Sequence, residues 1–120
     1  MPITVLLADD SASVRTAIEH LLKMEPGITL IGEATHFQEA LAMCAELKPN
    51  VLLLDLHMPG ELDAQYVKTK LVDCAEFVLA MSAWNDDQSQ ALANLYGAEK
   101  LLDKAQLAWK LVPAIMATPI

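Results

Sequence analysis

Aromatic side chains are scarce, at 5% of the chain, so a core here has to be built from Leu, Val, Ile, Ala and Met. Cysteine is scarcer: Cys44 and Cys74 form no CxxC or other metal-ligand spacing. That excludes a cysteine metal site and leaves two free thiols, buried or half-buried on helices, in a reducing compartment. Positive charge is short as well, with 8 Lys and Arg against 16 Asp and Glu and a formal net charge of -8. The phosphate term that dominates affinity for nucleic acid would be repulsive, as would an anionic membrane surface. No apolar run approaches the roughly 20 residues of a membrane span. No leader-like segment precedes the first apolar run, Ile3 to Leu7. The expectation is a soluble, cytoplasmic domain that binds neither nucleic acid nor membrane.

What the chain does have is bulk apolar content. Hydrophobic residues make up 54% and charged residues 20% of its 120 positions, which excludes intrinsic disorder and suits one domain with one core. Short apolar runs alternate with amphipathic segments. Ile3 to Ala8 is rich in β-formers and stops at Asp9-Asp10. From Ser11 to Met24, Val14, Ala17, Ile18, Leu21 and Leu22 recur at helical spacing until Pro26-Gly27. Ile28 to Ala34 reads as a second strand. Thr35 and Gln38 have the form of a capping box, opening a helix through Phe37, Ala40, Leu41, Cys44 and Leu47 that Pro49-Asn50 closes. Val51 to Leu54 is continuously apolar, as expected for a central strand covered on both faces, and ends at Asp55.

Asp63 to Val72 is a short third helix with Ala64, Val67 and Leu71 on one face. Phe77 to Met81 is a strand ending at Ser82. Asn85-Asp86-Asp87 supplies an N-cap and first-turn acids to a helix that Gly97 stops after Tyr96. Lys100 to Leu102 is a fifth strand, and Ala105 to Met116 a last helix kinked at Pro113. The order is (βα)5, which implies right-handed crossovers and a doubly wound parallel sheet with helices on both faces. There is no repeat and no second domain; residues 117–120 are either the end of this domain or the start of a linker.

In an open parallel sheet, chemistry gathers outside the carboxyl ends of the strands. Strand one ends in Asp9-Asp10, strand three in Asp55, strand four in Ser82 and strand five in Asp103-Lys104. Carboxylates of Asp9, Asp10 and Asp55, one hydroxyl and one ammonium should therefore converge. At ~4 Å, each pair of like charges costs on the order of 4 kcal/mol at an effective dielectric near 20. A hard dication such as Mg2+ relieves that cost and takes one or two carboxylates plus water and phosphate oxygens. A carboxylate oxygen left over can attack phosphorus, with Lys104 stabilising the transferring charge. His20 and His36 have no second ligand at metal spacing and read as solvated.

Asp9-Asp10, Asp55 in Leu-Leu-Leu-Asp-Leu-His-Met-Pro-Gly, Ser82 and Lys104 together resemble the receiver domains of two-component response regulators. The resemblance covers nearly the whole of 1–120 and implies a flavodoxin-like five-stranded sheet of order 2-1-3-4-5. It implies that Asp55 accepts a phosphoryl group from a histidine kinase or phosphotransfer protein. It further implies that Asp10, Asp55 and the backbone carbonyl of His57 bind Mg2+, with Asp9 helping through water, while Lys104 and Ser82 meet the phosphoryl group. His57 and Trp84 would flank the route of attacking water and slow dephosphorylation. The chain departs from the family pattern at Leu101, where an aromatic switch residue is frequent, and at Ala105, where Pro is frequent. The missing proline resembles receivers joined to LuxR-type DNA-binding outputs.

Two other classes fit worse. An aspartyl-phosphate phosphatase resembles a DxD pattern on strand one and needs a cap domain; a flavodoxin-like cofactor binder needs a phosphate loop after strand one. Within the family, the alternative is a degenerate receiver acting as a phosphorylation-independent interaction module. The last helix has Leu107, Leu111, Ala114 and Ile115 on one face and Trp109, Val112 and Met116 on a second stripe. That second stripe, with Tyr96 nearby, is the expected surface for an output partner or a homodimer.

Overall fold

The computed structural model describes residues 2–60 and 62–120. Five strands alternate with five helices: β1 (Ile3–Ala8), α1 (Ala12–Lys23), β2 (Ile28–Ala34), α2 (Phe37–Leu47), β3 (Val51–Asp55), α3 (Ala64–Val72), β4 (Phe77–Ser82), α4 (Asp87–Leu95), β5 (Lys100–Asp103) and α5 (Leu107–Met116). The strands form one parallel sheet in the order 2-1-3-4-5, as the resemblance implied.

The period-2 alternation of each strand divides the core in two. Leu6, Ala8, Leu52, Leu54 and Ala80 face one side, where they meet Phe37, Ala40 and Cys44 of α2, Val67 and Leu71 of α3, and Ala93 of α4. Val5, Leu7, Leu53, Leu79 and Met81 face the other, against Ile18 and Leu22 of α1 and Leu107, Leu111 and Ile115 of α5. All five residues of β3 are buried, which is why its sequence is a continuous apolar run and not an alternation. Burying a Leu side chain stabilises by about 1.5–3 kcal/mol. A bulge between Val5 and Leu6 shifts the register against β2. It falls next to Gly32, where an added Cβ would lie 2.7 Å from Met43 Cε and 3.2 Å from Leu6 Cδ1, so a larger residue there requires the Met43 side chain of α2 to shift.

Local sequence sets most element ends. Ser11, Asp63 and Asp86 cap α1, α3 and α4 through side-chain oxygens that accept the amides of Val14, Tyr66 and Ser89. Gly97, at φ 78°, ends the turn after α4. Three expectations need correction. The cap of α2 lies one residue later than the Thr35 and Gln38 pair: His36 Nδ1 accepts the Glu39 amide at 3.2 Å, and Glu39 Oε1 accepts the Thr35 amide at 2.7 Å. The reciprocal logic of a capping box survives, with an imidazole in place of a hydroxyl, so His36 is engaged and not merely solvated. Lys48, at φ 46°, closes α2 in a left-handed conformation one residue before Pro49. The last helix begins later than Ala105: a 3-10 turn, Lys104–Gln106, precedes α5.

Candidate functional site

Register carries the chemistry to one edge. Ala8 pairs with Leu54, Asp55 with Met81 and Ser82 with Asp103, so the chain leaves β1, β3, β4 and β5 at nearly one level. One carboxylate oxygen from each of Asp9, Asp10 and Asp55 lies within 4.8 Å of the other two. Asp9 is wholly buried, Asp55 nearly so, and Asp10 is exposed. Lys104 Nζ stands 2.7 Å from Asp9 Oδ2 and 3.3 Å from Asp55 Oδ2. Asp9 Oδ1 accepts the Ser11 amide at 2.9 Å, and Asp55 Oδ1 accepts the His57 amide at 3.0 Å.

Three carboxylates facing one ammonium leave the pocket negative. Burial raises the Asp55 carboxyl above its usual range, and the Asp9 charge adds to the rise; the His57 amide and Lys104 act against it without cancelling it. Burial alone would lower the Lys104 ammonium, but its bonds to Asp9 and Asp55 outweigh that and raise it. The donor set is all oxygen apart from that one ammonium, and its charge is uncompensated. Both properties fit a hard divalent cation.

Beside this acidic corner lies a neutral one. The Ser82 hydroxyl is fully buried, accepts the Trp84 amide at 3.0 Å, and lies 3.4 Å from both Ser89 Oγ and His57 Nε2. The His57 ring meets the Trp84 ring edge-on, with centroids 5.0 Å apart at 85°. So Asp9, Asp10, Asp55 and Lys104 converge as the strand ends predicted, while Ser82 belongs to a separate hydrogen-bonded set at their side. The His57 imidazole, expected to flank the route of attacking water, takes part in that set.

Sequence reading missed two residues. Ser89 is buried in the first turn of α4; a Ser at N3 after an Asp cap gave no sign of facing Ser82. Arg15 Nη1 donates to the Asp9 carbonyl at 2.8 Å, and its Nε lies 3.4 Å from Glu33 Oε1, so it ties the β1 end to β2. Its signal was a lone cation six residues past an acidic strand end. Tyr96 is a correction: it is 3% exposed, its ring lies 5.5 Å from that of Phe37, and it packs in the core opposite the α5 side. It is therefore absent from the apolar face of α5, where Trp109 is 62% and Met116 49% exposed and Val112 leans onto the core. The helix end at Tyr96 turns its ring inward, beneath the turn at Gly97.

Residues 5–116 match the family model of the response regulator receiver domain. The chain belongs to that family. It is 42% identical over 59 residues to the nitrate/nitrite response regulator protein NarL of Escherichia coli (strain K12), a match covering 49% of this chain and 27% of that one. It is 31% identical over 116 residues to the transcriptional regulatory protein LiaR of Bacillus subtilis (strain 168), covering 96% of this chain and 55% of that one. In both, the match spans less than two thirds of the relative's length. The crystal structure of the response regulator domain of Thermotoga maritima CheB superposes with a TM-score of 0.83 at 25% identity, covering 97% of this chain and 95% of that one. No described helix is long and apolar enough to cross a membrane.

Proposed function

We propose that this chain is a phospho-acceptor receiver switched by phosphorylation of Asp55. The observation that carries the reading is the buried Asp55 carboxylate within 3.3 Å of the Lys104 ammonium, in a pocket whose negative charge is unbalanced. A phosphohistidine of a histidine kinase or phosphotransfer protein is the donor. An Asp55 oxygen forms the new O–P bond as the P–N bond breaks, and the leaving imidazole keeps its electron pair and takes up a proton. Asp10, Asp55 and the His57 carbonyl would hold Mg2+, with Asp9 helping through water; the bound ion would neutralise charge on the phosphoryl oxygens. Lys104, already oriented by Asp9, pairs with the transferred group. The Ser82 hydroxyl turns toward the phosphorylated Asp55.

The receiver unit lies within residues 1–120, with 117–120 either its end or the start of a linker; it works in the cytoplasm and turns over no separate substrate. Its output is a partner or an attached domain, and likeness to NarL and LiaR favours control of transcription through such a domain. Trp109 and Met116 offer exposed apolar surface to an output partner or a second copy. His57 and Trp84, packed edge to face beside Ser82, narrow the approach of water to the acyl phosphate and favour a long-lived phospho-form. Intact mass after incubation with acetyl phosphate and Mg2+ tests the reading. An added phosphoryl mass in the wild type but not in Asp55→Asn is the expected result, and no adduct in the wild type overturns it.

A further inference from the structure

The Ser82 hydroxyl has one proton and two lone pairs to share. The Trp84 amide takes one lone pair at 3.0 Å. The remaining lone pair and the proton are divided between His57 Nε2 and Ser89 Oγ, each at 3.4 Å. All three partners lie on the β3–α3 loop, the β4–α4 loop or the first turn of α4, and none is a site carboxylate. The resting hydroxyl is thus engaged by groups other than the site carboxylates. His57 packs in turn against the Trp84 ring in a T-shaped contact, and the Ser89 backbone amide donates a hydrogen bond to Asp86 Oδ1 at 2.8 Å.

Turning Ser82 toward a phosphoryl group on Asp55 breaks these contacts together. The Trp84 amide loses its acceptor, which is the unfavourable half of a hydrogen-bond exchange, while the Ser89 hydroxyl keeps the Asp86 carboxylate beside it. The cost falls on the Trp84 loop, so this is the segment that must rearrange. Leu101, paired with Ala80 on β5, is a half-buried aliphatic side chain with no polar tip to exchange partners.

We propose that His57 and Ser89 are positioning residues that latch the Ser82 hydroxyl in its resting orientation and set the threshold for switching. This rests on the phospho-acceptor reading of Asp55. The latch has consequences before any phosphorylation, and these keep the two ideas separable.

Amide hydrogen exchange at Trp84 in the resting protein is the first arm. His57→Ala and Ser89→Ala should each speed it by roughly twofold to threefold, the low end of what one hydrogen bond supports, because contacts of 3.4 Å are weak. His57→Gln, which keeps a polar atom on that side chain, should restore most of the protection. Titration with beryllofluoride and Mg2+ is the second arm. Each alanine variant should bind more tightly than the wild type by a similar factor, because the bound state no longer has to break the latch. A residue with a merely structural role would weaken binding or leave it unchanged. Wild-type exchange rates and a single beryllofluoride affinity in all the proteins overturn the latch. No beryllofluoride binding by any of them, with the exchange differences intact, supports the resting latch and overturns the phospho-acceptor reading.

Discussion

The two corners of the strand-end surface are built on opposite principles. In the acidic corner, Asp9, Asp55 and Lys104 are held by charge, with contacts of 2.7 and 3.3 Å, and no rearrangement relieves the surplus negative charge. In the hydroxyl corner, Ser82, Ser89 and His57 are held by neutral contacts of 3.4 Å, each weak and each replaceable. A strained charged site can wait for a cation and a phosphoryl group without changing shape; a loosely bonded neutral site can change shape once they arrive. Chemistry and switching are thereby assigned to adjacent but separate groups.

Substitution should expose that division most sharply in the rate of phosphorylation. Lys104→Ala removes the ammonium that would meet the developing charge, and a loss of about 100-fold in the acetyl phosphate rate is expected. Ser82→Ala should cost less than about tenfold, the scale of one hydrogen bond to a charged group. Initial rates by intact mass would decide; equal losses would show that the corners are one site.

The next effect is on stability. Because the folded protein raises the Asp55 carboxyl, the folded state holds its proton more tightly than the unfolded chain does. Stability is then greatest below the ordinary carboxylate range and falls as pH rises through the raised value, leaving a cost at neutral pH. Mg2+ should offset that cost, and Asp55→Asn should remove it, raising the metal-free midpoint at pH 7 by about 1 kcal/mol, or roughly 3–6 °C. Lys104 has the same sign at the alkaline end: its raised ammonium stabilises below its ordinary value, and that contribution is lost as pH climbs through the raised one. Thermal midpoints from pH 4 to 8, with and without Mg2+, are the measurement. A wild-type midpoint that tracks Asp55→Asn across this range would remove the charge-strain account of the acidic corner.

The smallest effect lies outside both corners. Trp109→Ala should leave phosphorylation unchanged and weaken association with an output partner or second copy by roughly threefold. Sedimentation of the phosphorylated protein would read self-association directly, and pull-down with the attached output would read the other case. Unchanged association in both would remove α5 from the interface.

The sequence by itself determined the sheet and the acidic corner. Asp9, Asp10, Asp55 and Lys104 each follow an apolar run, and a parallel sheet with right-handed crossovers can put such residues only at its carboxyl edge. Local chemistry also located the cap within Asn85-Asp86-Asp87 and the stop at Gly97, because each acts within a few residues of itself; the caps at Ser11 and Asp63 were found only in the structure. It slipped at α2, where Thr35 and His36 both offer a lone pair to the first turn and only the packed position of Phe37 chooses between them. It slipped again at Tyr96, since a tyrosine at a helix end can face in or out. Tertiary structure alone decided the hydroxyl corner. Whether Ser89 faces Ser82 depends on the rotation of α4 about its axis, and whether His57 reaches Ser82 depends on the path of the loop after β3. Both are set by packing between segments far apart in the chain, through contacts that one-dimensional periodicity does not encode.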